Sequence, residues 1–218
     1  MSTVPNTSES RESSRVEAFS DGVFAVAITL LVLEIRVPGP LKPTQSLGHE
    51  LLRLWPAFLA FGLSFMTIGI MWMNHHRMFK LMVRTDDGLL IVNGALLLMI
   101  TFVPFPTAVF AQNLMTPHAP AAAGFYSATF VVMALLFNLL AGYVHRRKLL
   151  IDNPTTRALS NRLRRQYFIG PGMYLLLTGI AFLNVYACLV MHMLFALYFA
   201  IPPSVRLGMG RRPERDAS

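Results

Sequence analysis

Arg15-Val-Glu-Ala-Phe-Ser-Asp-Gly-Val-Phe-Ala-Val-Ala-Ile-Thr-Leu-Leu-Val-Leu-Glu34 is a helix-length apolar run whose mouth carries an Arg and a Ser-Asp pair. Charge at the edge of hydrocarbon is costly and is usually kept for a purpose. The rest of the chain makes that hydrocarbon a lipid bilayer. Of 218 residues, 54% are hydrophobic and 14% charged, whereas soluble domains carry about 25% charged residues. Mean hydropathy is +0.51. The run is read as a retained membrane helix over about residues 17–36. It is not read as a cleaved leader, because Asp21 interrupts its start and the exit Arg36-Val-Pro-Gly-Pro lacks a small-x-small cleavage pattern.

Outward from this helix, residues 1–14 are Ser-, Thr-, Pro- and Glu-rich and are expected to form a disordered cytoplasmic N-terminus. A second span is expected from Leu51 to about His75, with Trp55-Pro56 in its first turns, where a missing amide costs little. A third runs from Asp87 to Ala111 and is interrupted by Pro104-Phe105-Pro106-Thr107; a fourth covers about 121–145. The last apolar block, Tyr167–Ile201, is too long for one span of about 20 residues. Loop signals at Leu183-Asn184-Val185-Tyr186 divide it into two short helices. The expected fold is therefore an all-α integral membrane protein with six transmembrane helices. Its transmembrane domain covers 15–205 and a basic cytoplasmic tail covers 206–218.

Charge supports that count. With six spans, only Arg36, Lys42 and Arg53 of the 19 Lys and Arg fall on one side of the membrane. The positive-inside rule then places both termini in the cytoplasm, in a multi-pass cell-membrane protein. A pI near 10.3 is thus assigned to contact with anionic lipid headgroups. Nucleic acid is not expected as a partner, since no basic-aromatic groove motif accompanies the charge. The single cysteine, Cys188, lies in an apolar run and leaves the redox compartment open.

On an ideal helix with Val26 at zero, Phe19, Gly22, Leu30 and Leu33 fall within about 40°, and Thr29 flanks them at about 60°. Ser20 and Asp21 lie more than about 100° away. If the stripe lines a channel, Ser20 and Asp21 point into the protein and need donors, for which Arg15, Trp72, His75, His76 and Arg77 are the candidates. The same stripe also reads as helix–helix core or lipid-facing surface, which is the default content of membrane helices.

Arg15-x-x-x-Phe19-Ser20-Asp21 and the apolar run after it resemble the signature of the transmembrane protein 175 family, bacterial relatives of the endosomal and lysosomal potassium channel. Trp72-x-Asn-His75-His76-Arg77-x-Phe79, Asn93 and Pro104-Phe105-Pro106-Thr107 extend the resemblance over roughly residues 11–205. It implies a homotetramer of six-helix subunits whose first helices line the pore, with no re-entrant carbonyl filter. It implies apolar constriction rings at Val26, Leu30 and Leu33, with Thr29 adjacent. The implied structural network at the pore mouth comprises Arg15, Phe19, Ser20, Asp21, Trp72, His75, His76 and Arg77. The implied activity is K+ permeation, with protons or other monovalent cations also passing to some degree. Potassium is the permeant ion and no cofactor is expected. The family usually carries a larger Ile or Leu at the Val26 position, so a wider constriction is expected here.

Other chemistry reads as structural. His75 and His76 are helix neighbours pointing about 100° apart, whereas helical zinc motifs space histidines at i and i+4. They are assigned to hydrogen bonding with Ser20 and Asp21, and no metal is expected. Asp86-Asp87 reads as a helix cap, and His192 as a packed, hydrogen-bonded histidine. No phosphate loop, Ser-His-Asp set or carboxylate pair is present, so an enzyme is disfavoured. Two alternatives to a channel remain at this level: a secondary cation transporter using Asp21 as the coupling carboxylate, and a non-conducting membrane scaffold.

Overall fold

The computed structural model describes residues 7–36, 39, 46–151 and 153–200. Lys42 and the tail at 206–218 lie outside the described residues, as do residues 1–6 of the N-terminal segment. The described residues form helices α1 (Thr7–Leu30), α2 (Leu47–Arg53), α3 (Trp55–Phe79), α4 (Asp87–Phe102), α5 (Pro104–Asn113), α6 (Ala119–Arg146), α7 (Pro154–Leu183) and α8 (Val185–Ala200). A short 3-10 turn, Leu31–Glu34, extends α1.

Among the described residues, five stretches are long and apolar enough to cross a membrane: Glu12–Glu34, Trp55–Phe79, Asp87–Asn113, Ala119–Arg146 and Thr156–Leu183. The sixth expected span, α8, has 16 residues. At 1.5 Å per residue it is about 24 Å long, short of the roughly 30 Å hydrocarbon core. The chain is thus a multi-pass, all-helical membrane protein in which five of the six expected spans have full length.

Two other expectations need correction. Residues 7–14 are helical rather than disordered: α1 starts at Thr7, and Ser13 is already buried. The segment holding Arg157, Arg164 and Arg165, expected as loop, forms the first turns of the 30-residue α7. That helix is about 45 Å long against a hydrocarbon core of roughly 30 Å, so its first turns project beyond the hydrocarbon and carry these arginines. Their charge bars them from lipid but not from a helix.

The helix breaks follow from missing amides. Pro104 cannot donate to Ile100, whose carbonyl instead accepts from Val103 N–H at 3.2 Å, closing a tight turn. Thr107 secures the restart with its backbone and hydroxyl both donating to the Val103 carbonyl. Asn184 ends α7 in an extended conformation and caps α8, its Oδ1 accepting from Ala187 N–H at 3.0 Å. Pro171 lies inside α7 and leaves the Tyr167 carbonyl without its helical donor. Asn138 of α6 supplies one from its side-chain amide at 2.7 Å.

The core is continuous. Phe24, Ala27 and Leu31 pack with Leu63 and Ile68 of α3, Leu96 and Ile100 of α4, and Tyr126 and Phe130 of α6. His192 is buried, with Nε2 2.9 Å from Ser127 Oγ. Asp86 caps α4 by accepting from Leu89 N–H at 2.8 Å, and Tyr143 of α6 donates to the same carboxylate. The α3–α4 and α6–α7 loops meet in a single antiparallel bridge, with Val83 N–H on the Leu149 carbonyl and Ile151 N–H on the Leu81 carbonyl. Both loops therefore lie on one face of the membrane.

Candidate pore helix and its anchoring network

Helix α1 has two faces. One is fully inside the subunit: Ser20, Ala27 and Leu31 are 0% exposed and Phe24 is 1% exposed. The opposite face is open, with Phe19 at 68%, Val26 at 55%, Leu30 at 38% and Leu33 at 71% exposure, and Gly22 and Thr29 also exposed. These are the residues that the helical spacing places on one stripe. The final turn departs from the ideal helix used to place them. In a 3-10 turn residues three apart eclipse one another, so Leu33 stays in line with Leu30. Val32, 51% exposed, joins the open side there; ideal α-helical spacing cannot show this. Thr29 Oγ1 donates to the Val26 carbonyl at 2.9 Å, which commits its proton to the helix and leaves its oxygen lone pairs as acceptors.

Open clefts flank the stripe. One, of about 500 Å³, is lined by Leu30, Leu33 and Glu34 together with Phe102, Phe105 and Gln112 of α4–α5. The other, of about 470 Å³, lies between Arg15 and Phe19 of α1 and Leu90, Asn93 and Leu97 of α4.

The closed face of α1 is anchored by a directional chain of hydrogen bonds. Ser20 Oγ donates to the Val16 carbonyl at 2.8 Å, and a carbonyl can only accept. Ser20 therefore accepts from Asn93 Nδ2, at 3.0 Å, which turns Asn93 Oδ1 toward His75 Nε2, at 2.9 Å. His75 must donate from Nε2, so the network itself assigns the tautomer. Its Nδ1 is buried and has no hydrogen-bond partner. The ring is held by Phe79, stacked at 4.2 Å, and by Phe24 at 5.4 Å. One buried chain thus ties α1, α4 and α3 together.

A second set of contacts lies nearer the surface. Trp72 Nε1 donates to Asp21 Oδ1 at 2.8 Å. His76 stacks on Trp72, and its Nδ1 lies 2.7 Å from Glu17 Oε1, an ion-pair distance. Asp21 is half-buried rather than fully inward. Of the five candidate donors, Trp72 reaches Asp21 directly and His75 reaches Ser20 through Asn93. Arg77 instead donates to Asn74 at 3.2 Å, and Arg15 is exposed. Sequence reasoning gave no role to Glu17, although it lies four residues before Asp21 on the same helical face. It also gave no partner to Asn93, which meets Ser20 only through packing.

Residues 15–104 match the family model described as endosomal/lysosomal potassium channel TMEM175. The chain is 44% identical over 194 residues to a potassium channel of Chamaesiphon minutus, covering 88% of this chain and 96% of that protein. It is 42% identical over 189 residues to a potassium channel of Streptomyces collinus, covering 86% and 91% respectively. The crystal structure of a lysosomal potassium-selective channel TMEM175 homolog from Chamaesiphon minutus superposes with a TM-score of 0.79 at 44% identity. It covers 87% of this chain and 97% of that one.

Proposed function

This chain belongs to the TMEM175 potassium-channel family, and on that premise we propose that it is a potassium-permeable cation channel, not an enzyme, whose pore is lined by α1 from four copies. The reading rests on one observation above all: α1 is closed on one face and leaves an unbroken apolar stripe, Phe19–Val26–Leu30–Leu33, open on the other. Around a fourfold axis, Val26, Leu30 and Leu33 become rings and Thr29 adds a ring of oxygens beside them.

A narrow apolar ring expels water, so an ion sheds part of its hydration shell to pass. Potassium holds its water less tightly than sodium, and a wall without replacement ligands favours it. The Thr29 oxygens, their protons committed to Val26, face the axis as acceptors and offset part of the dehydration cost. A Val26 ring is wider than one of Ile or Leu, which favours passage of other monovalent cations and protons as well.

The anchoring network keeps α1 in register by holding the face that turns away from the pore. Its position also orients the chain. Asp21 meets Trp72 in the C-terminal half of α3 and Ser20 meets Asn93 in the first turns of α4, so the start of α1 lies on the membrane face of the α3–α4 and α6–α7 loops. Those loops and the adjoining turns carry Arg77, Lys80, Arg84, Arg147 and Lys148. The positive-inside rule makes that face cytoplasmic, in contact with anionic headgroups. Helix α8 returns from Asn184 as a short sixth crossing and brings its end at Ala200 to the same side.

Purified protein reconstituted into liposomes tests the proposal. Wild type should pass K+ down an imposed gradient, and Leu30→Ala and Leu33→Ala should each raise flux and lower K+-over-Na+ preference. Wild-type behaviour in both variants removes these residues from the pore wall.

A further inference from the structure

Glu17, Asp21 and His76 each offer one ligand atom, and the three atoms lie within 4.8 Å of one another. We propose that they form a binding site for a divalent transition-metal cation of the Zn2+ type, bridging α1 to α3 at the mouth of the pore helix. Glu17 and Asp21 are one helical turn apart and so project side by side, while His76 approaches from the facing helix. Four-coordinate zinc, with bonds near 2.0–2.2 Å, holds its ligands about 3.3–3.6 Å apart. The present spacing closes to that by side-chain rotation, as Glu17 and His76 ease apart from 2.7 Å.

Three further features fit a metal better than a simple ion pair. His76 Nδ1 is sheltered from solvent and makes no well-directed hydrogen bond, although Glu17 lies beside it. Trp72 donates to Asp21 Oδ1 and stacks on His76, so one side chain orients two ligands, as outer-shell partners of metal sites do. Among the described residues no Lys or Arg pairs with the two carboxylates: the Arg77 guanidinium is bonded to Asn74.

The donor set selects the metal. Imidazole with two carboxylates suits Zn2+, Co2+ or Ni2+, whereas Mg2+ and Ca2+ require six or more oxygens. Three protein ligands leave a coordination position for water. Side-chain exposures of 33% for His76 and 22% for Glu17 let an ion enter without unfolding the helix pair. The buried Ser20–Asn93–His75 chain is separate from this site.

Calorimetric titration of the purified channel with ZnCl2, and with MgCl2 in parallel, tests the site. The expected result is saturable binding of one Zn2+ per chain, undisturbed by Mg2+ and weakened at least about tenfold in Glu17→Gln and in His76→Gln. Gel filtration establishes that the variants are folded; if one is not, the other decides. No saturable Zn2+ binding by wild type up to millimolar concentration overturns the proposal, as does wild-type affinity in a folded variant. Binding is read without ion flux, so its failure leaves the channel reading intact.

Discussion

Replacing Asn93 by Ala should disconnect three helices at once. Asn93 is 3% exposed, and its two partners, Ser20 and His75, are 0% exposed. Ser20 keeps its bond to the Val16 carbonyl, so little is lost at that end. His75 has no such reserve, because its Nδ1 is already without a hydrogen bond and Nε2–H becomes an orphaned donor. An orphaned buried donor costs about 1–3 kcal/mol, whereas interhelical hydrogen bonds in membrane proteins average about 0.6 and reach about 1.7 kcal/mol. The complete burial here points to the upper part of the orphaned-donor range, about 2–3 kcal/mol for the whole substitution. His75→Phe supplies the control, since it keeps the ring between Phe24 and Phe79 and removes its polar atoms. Reversible unfolding in mixed detergent, measured for wild type, both single variants and the double variant, gives the coupling between residues 75 and 93. We expect about 1–1.7 kcal/mol. Single-variant energies that add to within about 0.5 kcal/mol would refute the directional chain as an energetic unit.

Asn138→Ala should cost about 1–3 kcal/mol by stranding the Tyr167 carbonyl, but much less when Pro171→Ala restores the helical amide. An equal loss in both backgrounds, followed by thermal unfolding, would remove Asn138 from that role. Asp86 has its pKa held below the ordinary carboxylate range, first by the Leu89 N–H and then by Tyr143 and Arg147. A carboxylate with a lowered folded-state pKa stabilises the protein above its unfolded value, near 3.9, and loses that contribution as pH falls through the folded value. Asp86→Asn keeps an acceptor for the cap but not the charge. Its melting temperature should therefore lie below that of wild type at neutral pH and converge on it as pH falls through the lowered folded-state pKa; a pH-independent gap would contradict this.

The amino-acid sequence alone determined the membrane class, the approximate position of the five full-length spans and the residues of the α1 stripe. Each depends on local periodicity and on transfer into lipid, quantities carried by neighbouring residues. The breaks at Pro104 and Asn184 were legible for the same reason, since a missing amide or a capping side chain acts within one turn. The helical first turns of α1 and α7 were not legible from hydropathy, which reports what lipid accepts and is silent on whether a polar segment is helical. Only the tertiary structure decided which face of α1 is closed and which partners hold it. Asn93 meets Ser20 across 73 residues of chain, Glu17 finds His76 on another helix, and Arg77 turns from the expected aspartate to Asn74. Those choices depend on how the helices cross and on which side chain fits the space between them, and neither is a property of any single segment.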